Sequence, residues 1–263
     1  QYTIPCAPPD EYPETLNIQT PKNEIKIKSV DLQDMLGKIT FAAAKESSES
    51  VFRCVVFDLK EDGIRLVASD GHKLALIKDK NYQSQKQDTL LVNAKTINHI
   101  QNLDGEVSIK YDDSLIGFYT EKTSIVVRQT AGEYPNYEAV IPYNNDKTLR
   151  VNCEDFKSSL QRVDIFTNEL THQIVLDLKS KDKLLITTQT QRGSAQEELP
   201  CEYSGESMQI GYNARFLIEI LNRIDTDDVM LYLKDPLSAA MIKPTEQKEN
   251  RELLYLLMPI RLE

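Results

Sequence analysis

Four consecutive residues, Ser69, Asp70, Gly71 and His72, bring together a hydroxyl, a carboxylate and an imidazole, the groups with which a hydrolase activates a nucleophile. Catalytic triads, however, are assembled from distant positions, and neighbours in sequence cannot adopt the required geometry. A strand followed by Asp-Gly is typical of a tight turn. We therefore predict a structural turn whose histidine faces a partner, and we keep a hydrolase that uses Asp70 and His72 as the alternative.

Metal and nucleotide chemistry have less support. The three histidines show no HxxxH or HExxH spacing, the four cysteines form no CxxC pair, and neither GxxxxGK[ST] nor GxGxxG occurs. We predict no metal and no cofactor, and we interpret the cysteines as reduced thiols of a cytoplasmic protein. The residues concerned are His72, His99, His172, Cys6, Cys54, Cys153 and Cys201.

The overall charge of the chain excludes a protein that coats nucleic acid with a basic surface. The formal net charge is -10, whereas non-specific affinity for nucleic acid comes from lysines and arginines that neutralise phosphates. A length of 263 residues suits two domains, and no apolar run reaches the 18 or so residues of a membrane span. No secretory signal follows the first residue, which is Gln, so we expect that an upstream part has been removed.

The sequence repeats itself with a period of about 120 residues, which predicts two similar domains. The segment IKIKSVDLQDMLGKITFA corresponds to TLRVNCEDFKSSLQRVDIFT, and NAK at 93–95 corresponds to NAR at 213–215. Each half also contains the order strand, helix, strands twice. Alternating strands joined by polar turns favour antiparallel sheets with helices on one face, an α+β fold. We place the domains at 24–147 and 148–263, with 1–23 as a connector from an earlier unit.

Four amphipathic helices should pack an apolar stripe onto these sheets and leave basic residues on the opposite face. We expect the first two at 31–45 and 94–103, with equivalents in the second half. Basic residues on an exposed helix usually indicate only solvation, and their recurrence on equivalent helices is what favours a nucleic-acid surface. These residues are Lys38, Lys45, Lys95, Lys157, Arg162, Arg215 and Arg223.

The chain ends in the apolar run LLYLLMPIRL. Strand alternation would bury only every second residue of this run, and Pro259 excludes a continuous central strand. We therefore predict that part of its apolar surface forms a binding patch.

Taken together, these motifs resemble the β sliding clamp family of bacterial DNA polymerase III. The resemblance covers nearly the whole chain and rests on VASDGHKLAL, GEYPNYEAVIP, the NAK and NAR helix starts, and the terminal YLLMPIRL. It implies a non-catalytic chain with two repeated DNA-clamp domains, the second and third of three, preceded by the end of the first. Family members form head-to-tail dimers, six-domain rings in which the first domain of one chain contacts the third of the next.

The resemblance also implies a hydrophobic groove between the two domains, which receives linear peptides from the polymerase III catalytic subunit, the clamp loader, other polymerases and repair proteins. Its first wall would contain Phe52, Ser69, Gly71, His72, Lys73, Leu74, Pro135 and Val140. Its second wall would contain Thr171, Asn213, Phe216, Leu237, Ala239, Leu256, Leu257, Met258, Pro259, Ile260 and Arg261. Lys73, Ala139 and Thr171 depart from the usual family residues, so we expect a shifted peptide preference.

A closed ring explains how an acidic protein can act on DNA. Such a ring cannot leave duplex DNA sideways and therefore needs no tight phosphate contacts. The basic helix faces would line the hole, where a weak positive field attracts the DNA backbone without reading base sequence.

Overall fold

The computed structural model describes residues 2–6, 8, 16–47, 49–191 and 193–262. Within these ranges the chain forms four successive units, each made of a strand, a helix and three further strands. The first unit is β1 (Asn23–Lys28), α1 (Ser29–Ile39), β2 (Cys54–Lys60), β3 (Gly63–Ser69) and β4 (Lys73–Asp79). The second unit is β5 (Asp88–Asn93), α2 (Ala94–Ile100), β6 (Glu106–Tyr111), β7 (Leu115–Tyr119) and β8 (Ser124–Arg128).

The second half of the chain repeats this order with one additional short strand. The third unit is β9 (Lys147–Asn152), α3 (Cys153–Asp164), β10 (Gln173–Leu178), β11 (Lys183–Thr190) and β12 (Gly193–Pro200), followed by the additional β13 (Glu202–Ser204). The fourth unit is β14 (Met208–Asn213), α4 (Ala214–Leu221), β15 (Asp228–Leu233), β16 (Ala240–Pro244) and β17 (Arg251–Leu257). Short 3-10 turns occupy Thr40–Ala42, Ser50–Arg53 and Tyr137–Val140.

Within each half the two units exchange their first strands. β1 pairs with β6 of the second unit, and β5 pairs with β2 of the first unit. In the same way β9 pairs with β15, and β14 pairs with β10. All of these pairings are antiparallel, so the predicted α+β fold of two internally duplicated domains is confirmed.

The halves are joined by β4 and β17, which pair from Arg251 opposite Asp79 to Leu257 opposite Lys73. This pairing produces a nine-stranded sheet that runs through both halves. The prediction that only alternate residues of the C-terminal run are buried was wrong, since 253–257 are all buried. One face of the sheet packs on the helix-side core, and the other packs under Tyr137 and other residues of the segment between the halves.

Asparagine side chains begin three of the four helices. Asn93, Asn152 and Asn213 each accept hydrogen bonds from backbone N–H groups in the first turn of α2, α3 and α4, which satisfies donors that have no partner within the helix. The repeated NAK and NAR motifs are therefore helix N-caps. No helix in the described ranges is long and apolar enough to cross a membrane.

Two helices are shorter than the sequence predicted. α1 ends at Ile39 instead of residue 45, because a 3-10 turn follows and Ala43 already has an extended backbone. Lys45 therefore lies beyond the helix. α2 ends at Ile100 instead of residue 103. The predicted apolar stripe of α1 is nevertheless buried, as Leu32 and Met35 illustrate.

Candidate functional site

The segment from Ser69 to Lys73 forms a tight hairpin turn, as predicted. Gly71 has a φ of +87°, in the region that favours glycine, and His72 follows it at the tip. The Asp70 carboxylate accepts hydrogen bonds from the backbone N–H groups of His72 and Lys73, both at 2.9 Å. The Ser69 hydroxyl donates to the Lys73 carbonyl at 2.8 Å and accepts from the Gly71 N–H at 3.1 Å. Hydroxyl and carboxylate are thus engaged in the turn, and the exposed side chain is that of His72.

Three chain segments from both halves end side by side next to this turn. The Met258 N–H donates to the His72 carbonyl at 2.9 Å. Ala240 pairs with Leu257, so Ala239 lies next to Met258 on its other side. His72, Met258 and Ala239 therefore form a row across the end of the shared sheet, which we call the rim row. Met258 is 47% exposed.

An apolar floor lies two residues back from the rim row along each strand. Successive side chains of a strand alternate between faces, so Leu74, Leu256 and Met241 lie on the same face as the rim row. These three belong to one buried apolar cluster, against which Phe52 packs. Val140 is 58% exposed and lies in the segment between the halves, whose residues Tyr137 and Ile141 belong to this cluster. Met241 could not be assigned to the groove from the sequence, because only the pairing of β16 with β17 places it opposite Leu256.

Phe216 of α4 approaches the rim row from the helix side. Its ring centroid lies 6.3 Å from that of His72 and 4.0 Å from the Lys73 ammonium nitrogen. The same nitrogen lies 2.6 Å from an Asp70 carboxylate oxygen and 3.4 Å from one of Glu219. Lys73 is buried, so its charge is turned towards α4 and away from solvent.

Some residues predicted to line the groove lie elsewhere. Leu257 is fully buried in the helix-side core, because alternation along β17 points it away from the face of Leu256. Its side chain does not line the groove, which corrects the prediction for this residue. Ser69 is also buried, with its hydroxyl bonded within the turn.

Thr171, Ile260 and Arg261 line a neighbouring cleft of about 1050 Å³ on the outer face of the sheet that contains β10, β11 and β12. Asn213 connects this cleft to α4, since its side-chain amide donates to the Thr171 carbonyl at 2.9 Å and its oxygen caps the helix. Pro135 lines another outer cleft, of about 420 Å³. Leu237 is exposed in the turn before β16, and Pro259 is half-buried where β17 has ended. These residues thus lie in two separate clefts and in turns, and they do not all face one groove.

Most of the predicted basic residues form ion pairs or ring contacts. Lys38 reaches Asp225 beyond α4, and Arg215 of α4 reaches Asp164 of α3, so these three helices lie near one another. Lys157 and Arg162 pair with carboxylates, and Arg223 lies over the Phe41 ring. Within the described ranges Lys45 and Lys95 have no ion pair. The positive charge of these helices is therefore largely compensated.

Asp164 ties the end of α3 to the loop at 165–171. One carboxylate oxygen lies 2.8 Å from the His172 Nδ1 and 2.9 Å from the Thr167 hydroxyl, and the other lies 3.3 Å from the Arg215 Nε. Burial acts to raise the pKa of Asp164, but hydrogen bonds from Thr167, His172 and Arg215 outweigh it, so the pKa is lowered. The ionised carboxylate thus stabilises the native loop.

We expect Asp164→Asn to lower the free energy of unfolding by about 1–2 kcal/mol at pH 7. A depressed folded-state pKa adds stability that is present above the unfolded pKa, near 3.9, and is lost as the pH falls through the lower folded value. The free energy of unfolding, measured with urea between pH 2 and 7, should therefore fall less at acid pH in the variant than in the unaltered protein. Asp104→Asn, in the exposed connection between α2 and β6, is the control and should follow the unaltered protein. An Asp164→Asn deficit of equal size at pH 2 and 7 would contradict this role.

Two family profiles match nearly the whole chain. Residues 26–136 match the central domain of the DNA polymerase III beta subunit, and residues 138–261 match its C-terminal domain.

Individual proteins give the same result. The chain is 26% identical to the beta sliding clamp of Pseudomonas aeruginosa and 23% identical to that of Escherichia coli. Both alignments include the whole of this chain and 72% of the length of the relative. A solved Pseudomonas aeruginosa sliding clamp with ligand superimposes with a TM-score of 0.91 at 26% identity, over 97% of this chain and 70% of that one. A Bartonella birtlesii sliding clamp bound to griselimycin gives 0.90 at 27% identity, over 98% and 70%.

Proposed function

The chain belongs to the DNA polymerase III beta-subunit family and acts as a DNA sliding clamp, and from this premise we propose that the rim row and its floor hold linear peptides of its partners. The observation that carries the proposal is the composition of this surface. A buried floor of Leu74, Leu256 and Met241 adjoins exposed Met258, and both halves contribute. Such a surface suits a short peptide with aliphatic and aromatic anchors, in which a few side chains supply most of the binding energy.

The junction between the halves suggests how a ring is built. β4 is the last strand of the first unit of its domain, and it pairs with β17, the last strand of the second unit of the next domain. The equivalent strands at the two far ends are β8 and β12, and each is an edge strand of its sheet. Repetition of the same junction at β8 and β12 would add domains head to tail. We infer that the ring is completed in this way around duplex DNA.

Exposed apolar side chains near β12 support a contact at that end. Ile165 is 74% exposed and Leu170 is 91% exposed, and the carbonyl of Phe166 accepts a hydrogen bond from the Thr190 hydroxyl at the end of β11. Large exposed apolar side chains beside an unpaired sheet edge fit a protein contact. In this proposal it meets the first clamp domain of a second copy.

The proposed action on DNA is topological and involves no catalysis. The helices near the hole carry mostly compensated charge, so they would attract the DNA backbone only weakly and allow sliding. Asp70, one of the two residues that the hydrolase alternative uses together with His72, accepts hydrogen bonds within the hairpin turn. Proposed partners are duplex DNA, the polymerase III catalytic subunit, the clamp loader, and other polymerases and repair proteins.

We expect a fluorescent peptide of the Gln-Leu-x-Leu-Phe type to bind the protein, and Met258→Ala or His72→Ala to weaken binding about fivefold, because each removes part of the rim row. Fluorescence anisotropy measures the affinity. Met230→Ala is the matched control, since Met230 is a half-buried methionine towards the start of β15 and away from the rim row. Turnover of an ester or peptide substrate, lost in His72→Ala and without peptide binding, would instead favour the hydrolase.

A further inference from the structure

Lys73 was predicted to line the groove, but its charged side chain is buried against α4. The geometry points to Lys73 as a positioning residue, which holds the aromatic wall of the groove in place without contacting the bound peptide. This inference rests on the proposed peptide-binding function. It concerns a set that we call the Lys73 brace, namely Lys73, Asp70, Phe216 and Glu219.

The contacts of the brace occupy the ammonium group of Lys73. The ammonium lies 2.6 Å from Asp70, 3.4 Å from Glu219 and 4.0 Å from the centre of the Phe216 ring. The Lys73 side chain is only 6% exposed. A peptide in the groove could reach the ammonium only by displacing Phe216 or breaking an ion pair.

The brace crosses the junction between the domains. Lys73 and Asp70 belong to the hairpin of the first half, whereas Phe216 and Glu219 belong to α4 of the second half. The backbone of Lys73 is fixed by its pairing with Leu257 in the shared sheet. Its side chain therefore connects the shared sheet to the half-buried Phe216 ring of the opposite wall.

Phe216 depends on this contact for its orientation. The ring is half-buried and adjoins His72 of the rim row at a centroid distance of 6.3 Å. A buried ammonium above an aromatic face is attracted by the electron density of the ring, and this attraction grows when water is excluded. Removing the cation would free the ring to adopt other rotamers, and the groove would lose a preformed wall.

A double-mutant cycle on peptide affinity tests the inference. We expect Lys73→Met to weaken binding of the fluorescent peptide about fivefold. In protein that already carries Phe216→Leu, the same substitution should have no further effect, because the ring that it positions is absent. Lys73→Arg, which keeps a cation, should restore most of the affinity. Lys78→Met is the control, because Lys78 lies on the same strand with a similarly buried side chain that pairs with Asp62.

A second measurement tests the brace in the absence of peptide. The aromatic NMR signals of selectively labelled Phe216 should shift in Lys73→Met and stay in place in Lys78→Met. Unchanged Phe216 signals would overturn the inference, and so would equal losses of peptide affinity from Lys73→Met in the presence and absence of Phe216. If the unaltered protein failed to bind the peptide, the proposed function would fall, and the NMR comparison would still decide whether the brace exists.

Discussion

Replacement of Arg251 by methionine should lower the free energy of unfolding by about 3–5 kcal/mol, the largest effect on stability that we expect from a single side chain. The guanidinium donates hydrogen bonds to Asp79 and Asp34, both at 2.6 Å, and to Asp31 at 2.9 Å. Arg251 is in β17, whereas its three partners are in α1 and β4. This cluster therefore joins the two domains through buried charge.

The expected size follows from the burial of Asp79. Its side chain is fully buried, and the side chain of Arg251 is 9% exposed. Removal of one partner of a buried ion pair leaves the other charge without compensation, which costs far more than the net gain from forming the pair. Methionine preserves most of the apolar stem, so the loss reports mainly on the charge.

Urea unfolding of Arg251→Met and of Arg150→Met provides the comparison. Arg150 pairs with Asp228 and Glu202, but its side chain is 45% exposed and its charge is screened by solvent, so its removal should cost far less than that of Arg251. Addition of Asp79→Asn to Arg251→Met should recover part of the loss, because the uncompensated charge is then removed. Equal effects of the two arginine substitutions, or no recovery, would show that Asp79 is not held as a buried anion.

Features that depend on neighbouring residues could be predicted from the sequence. The internal repeat, the order of strands and helices, and the turn at Asp70 and Gly71 all follow from local patterns. The repeated NAK and NAR motifs located two helix starts correctly, because an N-cap needs only a side chain and the N–H groups that follow it. The end of α1 was less predictable, since its apolar pattern continues to Ala43 beyond the point where the backbone leaves the helix.

Features that depend on pairing between the halves could not be predicted. Nothing in the sequence near Arg251 indicates burial, because its partners lie about 170 to 220 residues earlier in the chain. The position of Met241 in the floor and the inward direction of Leu257 both follow from the register of β17 with its neighbours. A pattern of apolar residues identifies a strand, but it does not reveal that both faces of the strand are covered.

Gly211→Ala should weaken peptide binding about thirtyfold, equivalent to about 2 kcal/mol, although Gly211 is buried and lies outside the rim row. The C-terminal segment crosses β14 at this residue, where the Ile260 N–H donates to the Gly211 carbonyl at 2.8 Å. A Cβ atom at Gly211 would lie 2.5 Å from the Ile260 carbonyl oxygen and 2.8 Å from the Leu262 side chain. Two backbone segments can approach this closely only at glycine. Alanine should therefore push the C-terminal segment away and displace Met258 from the rim row.

Gly37→Ala is the matched control for this substitution. Gly37 lies in α1, and a Cβ atom there would meet nothing within 4 Å, so alanine should raise the free energy of unfolding by about 0.5–1 kcal/mol and leave peptide affinity unchanged. Hydrogen exchange of the Ile260 amide follows the docking of the segment directly, and it should accelerate in Gly211→Ala alone. If this amide lost its protection while the peptide still bound with full affinity, the C-terminal segment would not be a wall of the groove. Loss of the amide protection together with loss of peptide affinity would show that the close approach of Ile260 to Gly211 couples the fold of the second domain to peptide binding.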